Sequence, residues 1–477
     1  MAKPSSSARS SYASAPTRRL EMAMKLARVL VANRGEIAVR IIRACQAIGI
    51  ETVVAISEAD RGSLAARIAD RAFCVGPASA RESYLDPKKM VGAAIVTKCD
   101  CLHPGYGFLA ESPELAKLCA ENDIIFVGPS PDHMLQMGNK ILSRNIAEDC
   151  GVPTLPGSKP VSDTDEAVSV AKEIGLPVMI KAASGGGGRG MKIVDDIDAL
   201  GTQIKMAASE AGAAFGDSTV YLEKYIGNAR HIEVQVLGDS HGNIVHLGER
   251  DCSLQRRHQK MVEEAPAPGI SEDLRDRIRD AAVTLARSVN YESAGTVEFI
   301  FDADSGEFYF LEMNTRIQVE HPVTEMITGE DLIEEQFRIA AGDQLRFSQA
   351  EISFRGHAIE CRINAERPEA GFMPSPGKIT DWRPPVAPYI RLESHCFQNY
   401  SVPINYDSMI AKLVVYGRDR PQAIQRMKTA LSQFAIGGIE TTVDFQHRLI
   451  SSSKFADGRM NTRLVDEIVG QSQKGAA

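Results

Sequence analysis

The chain has 477 residues, 44% hydrophobic and 24% charged, with a formal net charge of −8. That length suits about three domains with sizeable cores, and the acidic balance argues against nucleic acid or an anionic membrane as the main partner. No apolar run approaches the ~18 residues of a membrane helix, and nine scattered cysteines with no C-x-x-C pair suit reduced thiols in the cytoplasm.

Residues 1–24 are rich in Ser and Arg, with no acidic residue before Glu21, and read as a flexible tail. From Arg28 short apolar runs alternate with helical patterns: strands at 28–32, 52–56, 72–75, 100–102 and 124–127, and an amphipathic helix at 36–48. This alternation predicts a doubly wound parallel sheet with crossover helices. Its first turn, Ala32-Asn33-Arg34-Gly35-Glu36, is not G-x-G-x-x-G, so a dinucleotide site is not indicated. A smaller unit follows, with a strand ending in Lys181, a glycine-rich loop, a strand at 191–194, a helix and a strand at 220–223. The rest is longer and richer in strands. The expected boundaries are a tail at 1–24, an N-terminal α/β domain at 25–150, a lid domain at 151–226 and a C-terminal α+β domain at 227–477.

Two features suggest a nucleotide–metal site. Gly185 to Gly188 are four consecutive glycines, which lose much backbone entropy on ordering. Bare backbone N–H groups that wrap phosphate oxygens would explain them, with Lys181 and Arg189 adding charge. A hairpin turning through 302–306 would set Glu298 opposite Glu312. Facing carboxylates repel unless a cation separates them, and hard oxygen ligands favour Mg²⁺ or Mn²⁺. Asn314 continues that face as a neutral oxygen ligand.

Longer blocks then resemble one family. They are Val31-Ala32-Asn33-Arg34-Gly35-Glu36-Ile37-Ala38, His103-Pro104-Gly105-Tyr106-Gly107-Phe108-Leu109-Ala110-Glu111, Arg250-Asp251-Cys252-Ser253, Gln255-Arg256-Arg257-His258-Gln259-Lys260, Glu312-Met313-Asn314-Thr315-Arg316-Ile317-Gln318-Val319-Glu320-His321-Pro322-Val323-Thr324-Glu325 and Glu360-Cys361-Arg362-Ile363-Asn364-Ala365-Glu366. Together they resemble the biotin carboxylase branch of the ATP-grasp superfamily, from about residue 25 to 470.

The resemblance implies an α/β ATP-grasp fold and an ATP-dependent ligase that carboxylates biotin with bicarbonate. It implies that Lys140, Lys181, Gly187 and Gly188 meet ATP phosphates, and that Met191, Glu223, Lys224, Tyr225 and Ile226 surround adenine. His231 and His258 would lie in the nucleotide region, and Glu298, Glu312 and Asn314 would hold two Mg²⁺ or Mn²⁺ ions. Lys260, Arg316, Gln318 and Val319 would form the bicarbonate pocket, Glu320 would be the general base, and Arg362 would face the biotin ureido oxygen with Tyr106 nearby. His103 and His321 sit in Pro-containing turns and read as structural.

Met22-Ala23-Met24-Lys25 superficially resembles a biotinylation turn, but Leu26 follows it and a strand begins at once. Biotin is therefore expected in trans on a carrier protein, with separate carboxyltransferase subunits and a homodimeric enzyme. The reading is the first half-reaction of acetyl-CoA carboxylase, in fatty acid synthesis; propionyl-CoA, another acyl-CoA or pyruvate are alternative acceptors. A different ATP-grasp ligase, or a non-catalytic scaffold, would have no use for Arg316, Glu320 and Arg362 together.

Overall fold

The computed structural model describes residues 26–161, 164–183 and 191–474. The expected tail, and Gly187 and Gly188 of the glycine run, lie outside the described residues.

Strand Arg28–Val31 lies at the centre of a five-stranded, wholly parallel sheet. In space the strands run Arg71–Gly76, Glu51–Ser57, Arg28–Val31, Cys101–His103, Ile125–Phe126. Alternate side chains leave a strand on opposite faces, and both faces here are apolar. Val29, Val31, Val54 and Ile56 pack with Ile37, Ile41 and Ile42 of helix Gly35–Ile48. Leu30, Ala32, Val53 and Ala55 pack instead with Met90 and Leu115 of helices Pro87–Thr97 and Pro113–Glu121. A doubly wound sheet of this kind places ligands outside the carboxyl ends of its strands, where the winding reverses. That point lies between Arg28–Val31 and Cys101–His103, and the turns after them carry Glu36 and Tyr106.

The second unit is a three-stranded antiparallel sheet in which Val178–Ala182 lies between Lys192–Val194 and Val220–Lys224. Helices Thr164–Ile174 and Leu200–Phe215 cover it through Ala167, Ala171, Leu200 and Ala207.

An eight-stranded antiparallel sheet forms the largest layer: Phe308–Asn314, Ser293–Asp302, Ala229–Gly238, Ile244–Arg256, Gln259–Ala265, His357–Asn364, Met409–Gly417, Ile390–Ser394. Helix Glu272–Ser288 packs Ile278, Ala282 and Leu285 against Val234 and Val297 on one face. Helix His321–Thr328 lies on the other, with Val323 and Ile327 against Val414 and Ala358. This second face is the polar one, and the candidate site is built on it. All nine cysteines are free thiols, and among the described residues no helix is long and apolar enough to cross a membrane.

Candidate active site

Four neighbouring strands set Glu312, Glu298, Glu233 and Arg250 side by side. Glu298 is registered with Glu312 on one side and Glu233 on the other, and Glu233 with Arg250. The hairpin therefore opposes the two glutamates as its spacing predicts. Lys260 approaches from the next hairpin, whose two-residue turn Arg257-His258 has both residues at positive φ, the geometry that matches strand twist.

The Lys260 ammonium donates to Glu233 at 2.6 Å, Glu298 at 2.9 Å and Glu320 at 2.6 Å. Burial opposes its charge, but the three carboxylates outweigh that and raise its pKa well above the usual lysine value. Glu320 is 0% exposed and occupies the N-cap position of helix His321–Thr328. Its second oxygen accepts from Arg362 Nη2 at 3.0 Å. Burial again opposes ionisation, yet Lys260, Arg362 and Arg250 hold the Glu320 carboxyl well below the ordinary range. Arg362 Nε donates to Glu263 at 2.6 Å. Burial pushes the Glu263 carboxyl up to about 7 against the pull of Arg362. Two carboxylates with opposite protonation tendencies thus flank one guanidinium.

Arg316 pairs with Glu111 at 2.9 Å, rather than with Glu320, and also donates to Gln318 and Asn314, each at 3.0 Å. Asn314 turns its amide nitrogen to Glu298 at 2.9 Å. The oxygen that the sequence reading offers to a metal accepts from Arg316 instead. Gln318 is buried and reaches Glu298 at 3.4 Å. His231 lies 3.0 Å from the other Glu298 oxygen, and Gln255 meets its second ring nitrogen at 3.0 Å. Burial lowers the His231 pKa, but Glu298 more than reverses this; burial disfavours ionised Glu298 too, and Lys260 and His231 hold it down.

A divalent cation fits the donor chemistry beside this cluster. Burial raises the Glu312 carboxyl, the charge of Glu298 adds to that, and Lys140 is among the cations that lower it. Two hard carboxylates in register, one of them resisting ionisation through burial and then through the charge of the other, are a set that a cation would relieve. Asn314 fits as a further ligand if Arg316 yields its oxygen.

Other predicted residues lie around this centre. Lys181 pairs with Glu223 at 2.5 Å, and Arg144 joins the same carboxylate at 3.2 Å. Lys224 turns its ammonium to the carbonyls of Gly175 and Leu176, at 2.9 and 3.2 Å, and its backbone N–H donates to Pro156 O at 2.8 Å. Tyr225 N donates to Pro177 O at 3.1 Å, Met191 and Ile226 are half-buried, and His258 is exposed at its turn. Partial desolvation by its neighbours lowers the His258 pKa, and Lys181 adds to this. Tyr106 is held by Asn33, whose Nδ2 donates to the carbonyls of Pro104 and Tyr106 at 2.7 and 2.8 Å. Gly105 sits at φ +65°, and a Cβ there would lie 3.0 Å from Asn33 Nδ2 and from Ile37, so glycine permits this approach. His103 and His321 are buried and bond locally, to Gly105 N at 3.0 Å and to Gln318 O at 2.7 Å.

Sequence reasoning missed Glu233 and Glu263, and gave no role to Arg250 and Glu111, which stand in the family blocks. Arg250 is wholly buried and donates to Glu233 at 2.6 Å, Gln235 at 2.9 Å, Thr324 at 3.0 Å and Thr296 at 3.1 Å. The polar alternation His231, Glu233, Gln235 was a signal, since a strand whose polar face adjoins the Glu298 hairpin belongs to the same site.

Known proteins resemble this chain in sequence and in fold. Residues 25–134 match the biotin carboxylase N-terminal domain, 139–348 the carbamoyl-phosphate synthase L chain ATP-binding domain and 360–467 the biotin carboxylase C-terminal domain. Biotin carboxylase 1 of Bacillus subtilis is 52% identical over 440 residues, 92% of this chain and 98% of that protein. The chain belongs to the biotin carboxylase family. A pyruvate carboxylase subunit of Methanothermobacter thermautotrophicus is 50% identical over 92% of this chain and 89% of its own. A crystal structure of a biotin carboxylase complex with beta-gamma-ATP from Campylobacter jejuni superposes with a TM-score of 0.89 at 47% identity, covering 93% and 99% of the two chains. The biotin carboxylase domain dimer of Hydrogenobacter thermophilus 2-oxoglutarate carboxylase, with MgADP, ADP and bicarbonate, gives 0.88 at 46%, covering 93% and 98%. Membership in this family makes the chain an ATP-dependent ligase.

Proposed function

We propose that this chain carboxylates biotin on a separate carrier protein, using ATP and bicarbonate, as the first half-reaction of an acetyl-CoA carboxylase. The observation that carries the reading is the Glu320 carboxylate between Lys260 and Arg362, at 2.6 and 3.0 Å. One buried group thus borders a cation suited to bicarbonate and a guanidinium suited to the biotin oxyanion.

Bicarbonate is a poor nucleophile until it loses its proton, and Glu320 is the carboxylate to accept it. Lys260 and Arg362 depress its basicity, so the proton moves once substrate engages those cations. Arg316 and Lys260 hold the bicarbonate oxygens, with Gln318 and the Val319 backbone completing the pocket, and orient the anion toward the γ-phosphate. Lys140, Lys181, Gly187 and Gly188 hold the phosphates; Met191 and residues 223–226 hold the base, and His231 and His258 line the nucleotide region. Glu298, Glu312 and Asn314 would hold Mg²⁺ or Mn²⁺, two ions in our reading, which offset charge on the phosphates. Attack on the γ-phosphorus breaks its bond to the β,γ-bridging oxygen, giving carboxyphosphate and ADP, and carboxyphosphate then breaks into CO₂ and phosphate. That phosphate takes the N1′ proton of biotin, and N1′ attacks CO₂. Arg362 stabilises the ureido oxyanion because a guanidinium stays charged and donates in a fork; Tyr106 borders the same subsite.

We also propose a cytoplasmic homodimer working with a carrier protein and carboxyltransferase subunits. Similarity to a pyruvate carboxylase subunit favours pyruvate as the second acceptor reading, since the half-reaction is common to both. The test is phosphate release from MgATP: it should require bicarbonate and rise with biotin. Release indifferent to both would refute the proposal.

A further inference from the structure

Apart from Asn33, which holds Tyr106, the turn Ala32-Asn33-Arg34-Gly35-Glu36 has no part in the roles above, yet Asn33, Arg34 and Glu36 are all buried. Glu36 accepts a hydrogen bond from the Tyr106 hydroxyl. The same oxygen, Oε1, lies 3.0 Å from the ammonium of Lys412, on strand Met409–Gly417. Lys412 also donates to the carbonyl of Val319 at 2.8 Å, the residue before Glu320. A continuous polar chain therefore runs from Tyr106 through Glu36 and Lys412 to the backbone beside Glu320. It joins the N-terminal sheet to the catalytic face of the largest one.

Lys412 is 0% exposed, and an ammonium taken fully from water is costly unless it is paired and hydrogen-bonded. Its register partners, Arg362 and Glu393, put it on the same sheet face as the biotin-facing arginine. A compact ammonium with three rotatable donors can bind a carboxylate and a carbonyl that approach from different elements. The Lys412 ammonium also stands 5.9 Å from the centre of the Tyr106 ring, so the ring and, through Glu36, the hydroxyl of Tyr106 both answer to one charge.

We propose that Lys412 is a positioning residue: through Glu36 and the Val319 carbonyl it fixes Tyr106 and the Glu320 turn at one spacing, so a single buried ion pair sets the biotin and bicarbonate subsites together. This rests on the roles given above to Tyr106 and Glu320.

The test compares Lys412→Met, Glu36→Gln and their double variant in the full chain, by hydrogen exchange and by kinetics per active site. In Lys412→Met, exchange in residues 316–321 and 103–107 should accelerate roughly tenfold, the scale of losing one charge-assisted hydrogen bond. The KM for bicarbonate should rise and kcat fall roughly tenfold to a hundredfold, while the KM for ATP stays within about twofold. The double variant, a neutral buried pair, should regain the melting temperature that Lys412→Met loses but keep the raised bicarbonate KM. A merely structural lysine would recover both. If Lys412→Met does not fold, Glu36→Gln reads the same exchange, because it keeps an acceptor for Tyr106 and removes only the charge. Unchanged exchange in residues 316–321 in a folded variant overturns the proposal. Accelerated exchange in a protein whose wild type shows no bicarbonate-dependent turnover would sustain the positioning role and refute the proposed function, so the two failures are distinct.

Discussion

Glu320 accepts from Arg362 across 3.0 Å, and both belong to elements that meet only in the folded chain. The pair shares one contact but serves different ends of the reaction, so substitutions at the two positions should fail differently.

Glu320→Gln keeps the size of the side chain and removes the base. Turnover should fall by roughly 10²–10⁴, the usual contribution of a positioned general base, while ATP binding measured by calorimetry is retained. Turnover within a few-fold of wild type would remove Glu320 from that role.

Arg362→Ser should spare bicarbonate-dependent ATP hydrolysis measured without biotin and abolish most stimulation by biotin. Loss of one preorganised donor to a developing oxyanion costs about 2.7–4 kcal/mol of barrier. Equal loss with and without biotin would place Arg362 in the bicarbonate step instead.

Arg250→Met leaves Glu233 buried without its guanidinium, the more damaging half of a broken buried pair. Unfolding free energy should drop by roughly 3–5 kcal/mol, read from chemical denaturation at pH 7. A drop below about 1 kcal/mol, the value of an exposed pair, would mean that Lys260 alone satisfies Glu233.

Acid should destabilise the fold through buried histidines, His103, His321 and His395 among them. Burial lowers His103 and His395 to about 3, and for His395 the charge of Arg34 adds to it. Above the ordinary histidine value of about 6.5 both states are neutral and neither residue contributes a pH dependence. Between about 6.5 and 3 the unfolded chain binds more protons, so stability falls as pH is lowered, by up to about 1.4 kcal/mol per unit for each histidine. The melting temperature should therefore drop between pH 7.5 and 5.5, and less steeply in His395→Asn. Parallel curves for the variant and wild type would contradict this.

Glu312→Gln should raise the Mg²⁺ concentration for half-maximal ATP turnover roughly tenfold or more, the scale of weakened metal sites. A metal titration that superposes on wild type would move the ion elsewhere.

Much of this was legible in the sequence because it is local or periodic. The N-terminal strands alternate apolar residues to two faces, and the hairpin spacing alone placed Glu298 opposite Glu312. Ordered blocks carried Lys260, Arg316, Glu320 and Arg362. What stayed hidden were partners set by sheet register. Glu233 and Arg250 lie in long strands where alternating polar residues ordinarily face solvent; here that face is covered by helix His321–Thr328 and the loop before it. Lys412 lies in Ile410-Ala411-Lys412-Leu413-Val414, where a single lysine reads as an exposed position on an edge. Only the packing of a distant unit, bringing Glu36 to it, gives it a partner. The pairing of Arg316 with Glu111 was hidden for the same reason: the two meet across 205 positions of chain.

The measurement that most directly tests the central claim is transfer of labelled carbon from bicarbonate to biotin by the purified chain with MgATP. Label is expected in an acid-labile carboxyl on biotin, formed only with ATP and lost in Glu320→Gln. ATP hydrolysis with no label on either free biotin or a biotinylated carrier protein would contradict it.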